Sequence, residues 1–200
     1  MPRTGLTAPE IKDKAIDAAM AAMRQVGFDK VRLTDVARTL GLSHAALYSH
    51  FEDKSALFDA VSERWLRQID ERLAAICRKP GDPAAKIVAW MLALHRAKLA
   101  KIRHDPELYK SFDLSASLAK PYVRRHLETM HAQLVALAAE AIARRRLRGA
   151  DPEAIARVLH ESTLAFHHPK LVAQHVHEPR EPLLRVVLDS VLKGLGLAAR

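Results

Sequence analysis

Three Asp-Pro pairs, Asp82-Pro83, Asp105-Pro106 and Asp151-Pro152, each set a capping carboxylate ahead of a residue whose missing N–H costs nothing in a first helical turn. They mark helix starts, and no stretch of the chain alternates apolar with polar residues as a half-buried strand would. Thr7 and Glu10 have capping-box spacing, and Ile11, Ala15, Ala18, Ala22 and Val26 then recur at helical period up to Gly27, which predicts a helix over 8–26. From Lys54 the residues Leu57, Val61, Trp65, Ile69, Leu73 and Ile76 share one face, predicting a helix of about 24 residues and about 36 Å that closes at Pro80-Gly81. Further helices are expected at 83–103, 106–111, 121–147, 152–167 and 182–194. The fold class is all-α.

Composition supports a packed globular chain. Hydrophobic residues make up 49% of 200 residues, with 7 Gly and 10 Pro. The single cysteine, Cys77, cannot close an intrachain disulfide or build a Cys/His zinc finger, which fits a reducing cytoplasm. The N-terminal residues lack the apolar stretch of a signal peptide. The longest apolar run, Ile87–Leu94, is too short for a membrane span, so no membrane partner is expected.

Between 33 and 51 the sequence meets the demands of a helix-turn-helix. Thr34 can cap a short helix to Leu40, Gly41 supplies a positive φ for the turn, and Ser43 can cap a second helix to about His50. Ala37 is small where two helices must cross, while Val36, Leu40, Leu42, Leu47 and Phe51 can face inward. That leaves His44, Ala45, Tyr48 and Ser49 outward, on the side a recognition helix turns to the major groove. Tyr48 and Ser43 hydroxyls can donate to phosphate, and Lys54 and Arg32 are point charges for it. Base reading falls to His44, Ala45, Ala46 and Ser49; without Arg, Asn or Gln in this segment no bidentate base contact is evident. Arg3 is a candidate for a neighbouring minor groove.

Thr34, Ala37, Gly41, Ser43, Leu47, Tyr48, His50, Phe51, Lys54 and Leu57 resemble the N-terminal signature of TetR-type transcriptional regulators, with Ala37 one place earlier than the simplified spacing. The resemblance implies a three-helix DNA-binding module over 8–60 and a larger helical domain over 61–200 for effector binding and dimerisation. It implies that Thr34, Tyr48 and Lys54 meet phosphates, that Ser43 and His44 open the recognition helix, and that the chain acts on double-stranded DNA. His50 belongs to the same set of DNA-site residues.

One recognition helix reads few base pairs, so a homodimer on an inverted-repeat operator is expected, with half-sites about 34 Å apart or multiples of that. Leu183, Leu184, Val187, Leu188, Val191, Leu192 and Leu195 form a stripe too wide for one core face, facing a helix with Ile155, Val158, Leu159, Ser162 and Phe166. Ile155, Leu159, Leu184, Val187, Leu188 and Val191 are the expected dimer interface. The resemblance also implies an unknown small-molecule effector in the middle helices. Candidate lining residues are Trp90, Met91, Leu94, Tyr109, Phe112, Tyr122, Met130, Leu134 and Phe166. The helix around 57–77 would carry the effector's signal to the recognition helices.

The alternative is a metal-dependent helical enzyme or metal sensor built on His160, His167, His168, His175 and His177. No His-Glu-x-x-His, Gly-x-Ser-x-Gly or phosphate-binding glycine loop accompanies them, so no enzyme, metal or cofactor is expected. The net charge of +9 gives little help. Residues 1–54 hold 8 Lys+Arg against 7 Asp+Glu, whereas residues 79–200 hold 20 against 12, partly in Arg144, Arg145, Arg146 and Arg148.

Overall fold

The computed structural model describes residues 5–198. Among them lie ten α-helices: α1 (Ala8–Val26), α2 (Leu33–Thr39), α3 (His44–Tyr48), α4 (Lys54–Cys77), α5 (Pro83–His104), α6 (Pro106–Ser117), α7 (Pro121–Arg145), α8 (Pro152–Ser162), α9 (Pro169–Gln174) and α10 (Glu181–Gly194). Two 3-10 turns, Phe28–Lys30 and Leu164–Phe166, complete the helical set, and the described residues contain no strand. No helix is long and apolar enough to cross a membrane.

The chain divides into two compact units. The first takes the described residues up to Trp65 together with His104–Lys120; the second takes Leu66–Arg103 and Pro121 onward. This differs from a single cut at 60/61, because α6 packs with the N-terminal helices: its Leu108 joins their core and Arg24 grips Asp105 at 2.6 Å. The first unit closes around Ile16, Ala19, Met23, Val36, Leu47, Leu57 and Val61. In the second, Leu73, Ile87, Trp90, Leu94, Leu134, Leu137, Leu159 and Leu188 are almost wholly buried.

Local chemistry explains most helix ends. The Thr7–Glu10 capping box is complete, and bonds from the Thr7 backbone N–H and hydroxyl hold the Glu10 carboxyl below its ordinary value. Asp82 and Asp151 cap α5 and α8 by accepting backbone N–H bonds. Asp105 does not cap α6, because both its oxygens are taken by Arg24. Thr34 is not a cap either: α2 starts one residue earlier, at Leu33, with Arg32 in the capping position. The helix expected over 152–167 breaks after Ser162, where the Thr163 hydroxyl donates back to Leu159 O at 2.7 Å and competes with the regular ladder. Helix α6 runs six residues beyond the expected 111, to Ser117. Helix α7 stops at Arg145, where Arg146 takes a left-handed φ of 54°. Helix α9 had no sequence expectation.

Candidate DNA interface

Helices α2 and α3 are joined by a turn that needs its glycine. Gly41 has φ +65°, a region where a Cβ is penalised, and beyond it the Leu42 N–H returns to Ala37 O at 2.9 Å. Ala37 is buried at this crossing, as are Val36, Leu47 and Phe51, while Leu40 and Leu42 are half-buried against the same core. Helix α3 is short, His44–Tyr48 rather than reaching His50, and Ser43 caps it by accepting the Ala46 N–H at 3.1 Å. Its five residues give little helical stability of their own, so Leu47, with no exposed surface, anchors it.

The anchored face fixes the opposite one. Ser43, His44, Ala45, Tyr48 and Ser49 are exposed, and Ala46 and His50 are half-buried. The His44 and Tyr48 rings pack one turn apart, tilted by 57° with centroids at 4.3 Å, on the outer side of α3. The Ser49 hydroxyl donates to Ala46 O at 2.8 Å, so it can offer an outside partner only its lone pairs.

Of these side chains, His44 and Tyr48 line an open concavity of about 900 Å³. Arg32, Thr34, His44, Tyr48 and Lys54 all line it, joined by Asp29, Lys30 and Asp35, which sequence reasoning did not single out. Lys30 is the additional cation, and only the 3-10 turn Phe28–Lys30 brings it to this face. That turn is held from outside itself. Glu107 accepts the Phe28 N–H at 2.7 Å, and the Lys54 ammonium donates to Asp29 O at 3.1 Å while lying 5.1 Å from the Phe58 ring centre. Lys110 and the Phe28 N–H both hold the Glu107 carboxyl below the ordinary carboxylate range. Asp53 caps α4 by accepting the Ala56 N–H at 2.7 Å, so a phosphate approaching α4 meets Lys54 beside a capped helix end. Arg3 lies outside the described residues.

The remaining candidates fall in two groups. Tyr109 and Phe112 are buried in the first unit, where Phe112 meets Trp65 edge-on with centroids at 4.8 Å. Trp90, Met91, Leu94, Tyr122, Met130, Leu134 and Phe166 are buried in the second. Trp90 Nε1 donates to Gln133 Oε1 at 2.8 Å, and Gln133 in turn donates to Asp70 O. Around this apolar set lie polar residues that sequence reasoning missed. Lys98 is 3% exposed and His126 is 3% exposed, with His126 Nδ1 at 2.6 Å from Asp70 Oδ1. Burial pushes the Lys98 ammonium down to about 7. The available signal was a lysine on α5 in helical register with Met91 and Leu94, two of the candidate lining residues.

Of the six expected dimer residues, Ile155, Leu159, Leu184 and Leu188 are buried within their own unit, and Val187 and Val191 are half-buried. On α10 the inward set is Leu184, Leu188 and Leu192 at four-residue spacing. The apolar groups facing outward are Val158 on α8 and Leu183 and Val186 on α10, the last 62% exposed. His167 is buried against His160, ring centroids 4.7 Å apart, and burial drives its imidazole down to about 3. Among the described residues, no group of three or more His, Cys, Asp or Glu side chains is placed to hold a metal ion.

A Ser-capped recognition helix behind a glycine turn, with its polar side facing out, defines a helix-turn-helix DNA-binding protein. The family model of bacterial regulatory proteins of the tetR family matches residues 15–61, and that of the tetracyclin repressor-like C-terminal domain matches residues 83–187. The chain belongs to the TetR family and is a transcriptional regulator, not an enzyme. It is 27% identical over 165 residues to the HTH-type transcriptional repressor Rv1474c of Mycobacterium tuberculosis, covering 72% of this chain and 86% of that protein. A TetR/AcrR-family regulator from Thermobifida fusca shares the fold at TM-score 0.66 and 20% identity, covering 92% of this chain and 97% of that one. So does SmeT, the repressor of the Stenotrophomonas maltophilia multidrug efflux pump SmeDEF, at TM-score 0.61 and 21% identity over 96% and 91% of the two chains. SmeT has also been solved as a triclosan complex.

Proposed function

We propose that the chain is a ligand-responsive repressor that acts in the cytoplasm as a homodimer on an inverted-repeat operator. The observation that carries this reading is the exposed face of α3, where His44, Ala45, Tyr48 and Ser49 stand clear of a core built on Leu47. Tyr48, Ser43, Thr34, Arg32, Lys30 and Lys54 hold phosphates and set the register. His44 donates to or accepts from a base edge, while Ala45 and Ala46 pack on thymine methyls. His50, half-buried behind α3, supports this surface.

The dimer forms through the outward apolar faces of α8 and α10, centred on Val158, Leu183 and Val186 and flanked by Val187 and Val191. A small-molecule effector binds in the second unit among Trp90, Met91, Leu94, Met130 and Leu134, and the triclosan-bound relative supports such a site in this fold. Helix α4, whose two halves belong to different units, carries the shift to the recognition helices. Selection of bound fragments from genomic DNA with the purified protein tests the reading. One recurrent inverted repeat is expected, and recovery without any recurrent sequence overturns it.

A further inference from the structure

Besides the concavity at α3, the first unit holds a smaller hollow of about 220 Å³ between the start of α4 and the end of α6. Its walls are mostly apolar. Phe28 and Phe58 meet there with ring centroids at 4.9 Å, and Leu114 and Leu118, one turn apart at the end of α6, line it while remaining 51% and 60% exposed. Leucines left in water beside a pair of aromatic rings form the kind of apolar patch that marks a binding site. The charges of the lining are unequal, two lysines against one aspartate. Asp59 is met by Lys120 at 3.0 Å and by the Ser115 hydroxyl at 3.1 Å. The Lys54 ammonium gives one of its three N–H bonds to a backbone carbonyl, Asp29 O, and lies over the Phe58 ring.

Lys54 belongs to both hollows: it lines this one and the concavity beside His44 and Tyr48. A molecule in the smaller hollow therefore meets the same ammonium as a DNA phosphate. Resting on the phosphate role of Lys54 given above, we propose that this hollow is a ligand site for a small aromatic carboxylate, and that its occupant competes with DNA for Lys54. The size sets the class. Pockets for drug-sized ligands run from roughly 300 to 1,000 Å³, and this one is smaller, so it takes a molecule of one or two rings. The ring system packs on Phe28 and Phe58 and covers Leu114 and Leu118. The carboxylate accepts from the N–H bonds that Lys54 has left over, and the Ser55 hydroxyl, exposed on the same lining, can donate to its second oxygen. Two anions on one ammonium repel each other, so a bound acid weakens the phosphate contact. It does so inside the first unit, with no signal from the second.

Titration calorimetry of the full chain with 2-naphthoate and with 2-naphthalenemethanol tests the site. The alcohol keeps the rings and lacks the charge. Naphthoate should bind with a Kd of about 1 mM or below, and at least about tenfold more tightly than the alcohol. Lys54→Met should remove that preference. Leu118→Glu, which sets a carboxylate at an exposed position of the lining, should lower naphthoate affinity at least about tenfold. On operator DNA, naphthoate should weaken wild-type binding and lower the slope of log affinity against log salt by about 0.9 per subunit, the value of one phosphate contact. Equal binding of acid and alcohol, a naphthoate Kd above about 1 mM, affinity unaffected by Lys54→Met or by Leu118→Glu, or naphthoate bound without loss of operator affinity overturns the proposal. So does a shift of Leu118→Glu from dimer to monomer, which would give the leucine face to a second copy of the chain. Operator binding of Lys54→Met without ligand separates the two readings. Weakened operator binding with no naphthoate site leaves the phosphate role standing and sinks the hollow, whereas unchanged operator binding contradicts the phosphate role and with it the competition.

Discussion

The two units of the molecule handle polar groups in opposite ways. In the first, the side chains proposed to meet DNA are outside: Ser43, His44, Tyr48 and Ser49 are exposed over an apolar core, and the segment 1–54 is nearly neutral. In the second, with most of the chain's excess positive charge, Lys98, His126 and His167 are turned inward. A surface that meets DNA can stay hydrated until it binds, so exposing it costs the fold little. Polar groups buried in an apolar interior cost stability unless they are bonded there, as His126 is to Asp70 and His167 to His160 O.

Substitutions should separate the units if this contrast holds. The largest effect is expected for Leu47→Ala, which leaves a cavity under α3: a loss of about 2–5 kcal/mol in urea unfolding and loss of operator binding. A change near zero would mean that α3 is not held by its inward face. Next comes Lys98→Met. Burial sets the folded lysine at about 7 against an ordinary 10.5, so the unfolded chain binds more protons between these values and wild-type stability should rise with pH across about 7 to 10. Lys98→Met should flatten that rise in urea midpoints, and an unchanged slope would place the ammonium in water. The same sign applies lower down for His167, held at about 3 against 6.5: the stability it contributes as a neutral ring is lost as pH falls from about 6.5 toward 3, and His167→Gln should shrink that loss.

A smaller change is expected for Ser43→Ala. Losing the cap of α3 should cost about 1 kcal/mol, read as a lower melting temperature with weaker operator binding. Val186→Glu should leave the subunit fold intact, since the side chain is exposed, yet shift sedimentation toward monomer. A dimer that persists would move the interface elsewhere.

The same contrast explains what the sequence made legible. The first unit is written in local signals: Thr7 with Glu10, the turn at Gly41, the cap at Ser43 and the apolar spacing of Val36, Leu47 and Phe51 act within a few residues, and each forms as expected. Where a local signal had a distant competitor, the competitor decided. Asp105 turned to Arg24, 81 residues away, instead of capping α6. Lys30 came to the concavity beside His44 and Tyr48 through a 3-10 turn held by Glu107 and Lys54, neither of them a neighbour in sequence. In the second unit the Asp70–His126 contact spans 56 residues, and no spacing rule announces it. On α10 the apolar stripe was legible, but its division into the inward Leu184, Leu188 and Leu192 and the outward Leu183 and Val186 required the packing of α8 against it.

The central claim is that the outer face of α3 both grips and reads DNA. Measuring the affinities of His44→Ala and Tyr48→Phe for the recovered repeat and for a scrambled duplex at matched salt tests it most directly. Tyr48→Phe should weaken both duplexes alike, as loss of a phosphate contact does, while His44→Ala should weaken the repeat alone and narrow its preference. Unchanged affinity for both duplexes in both variants would contradict the account.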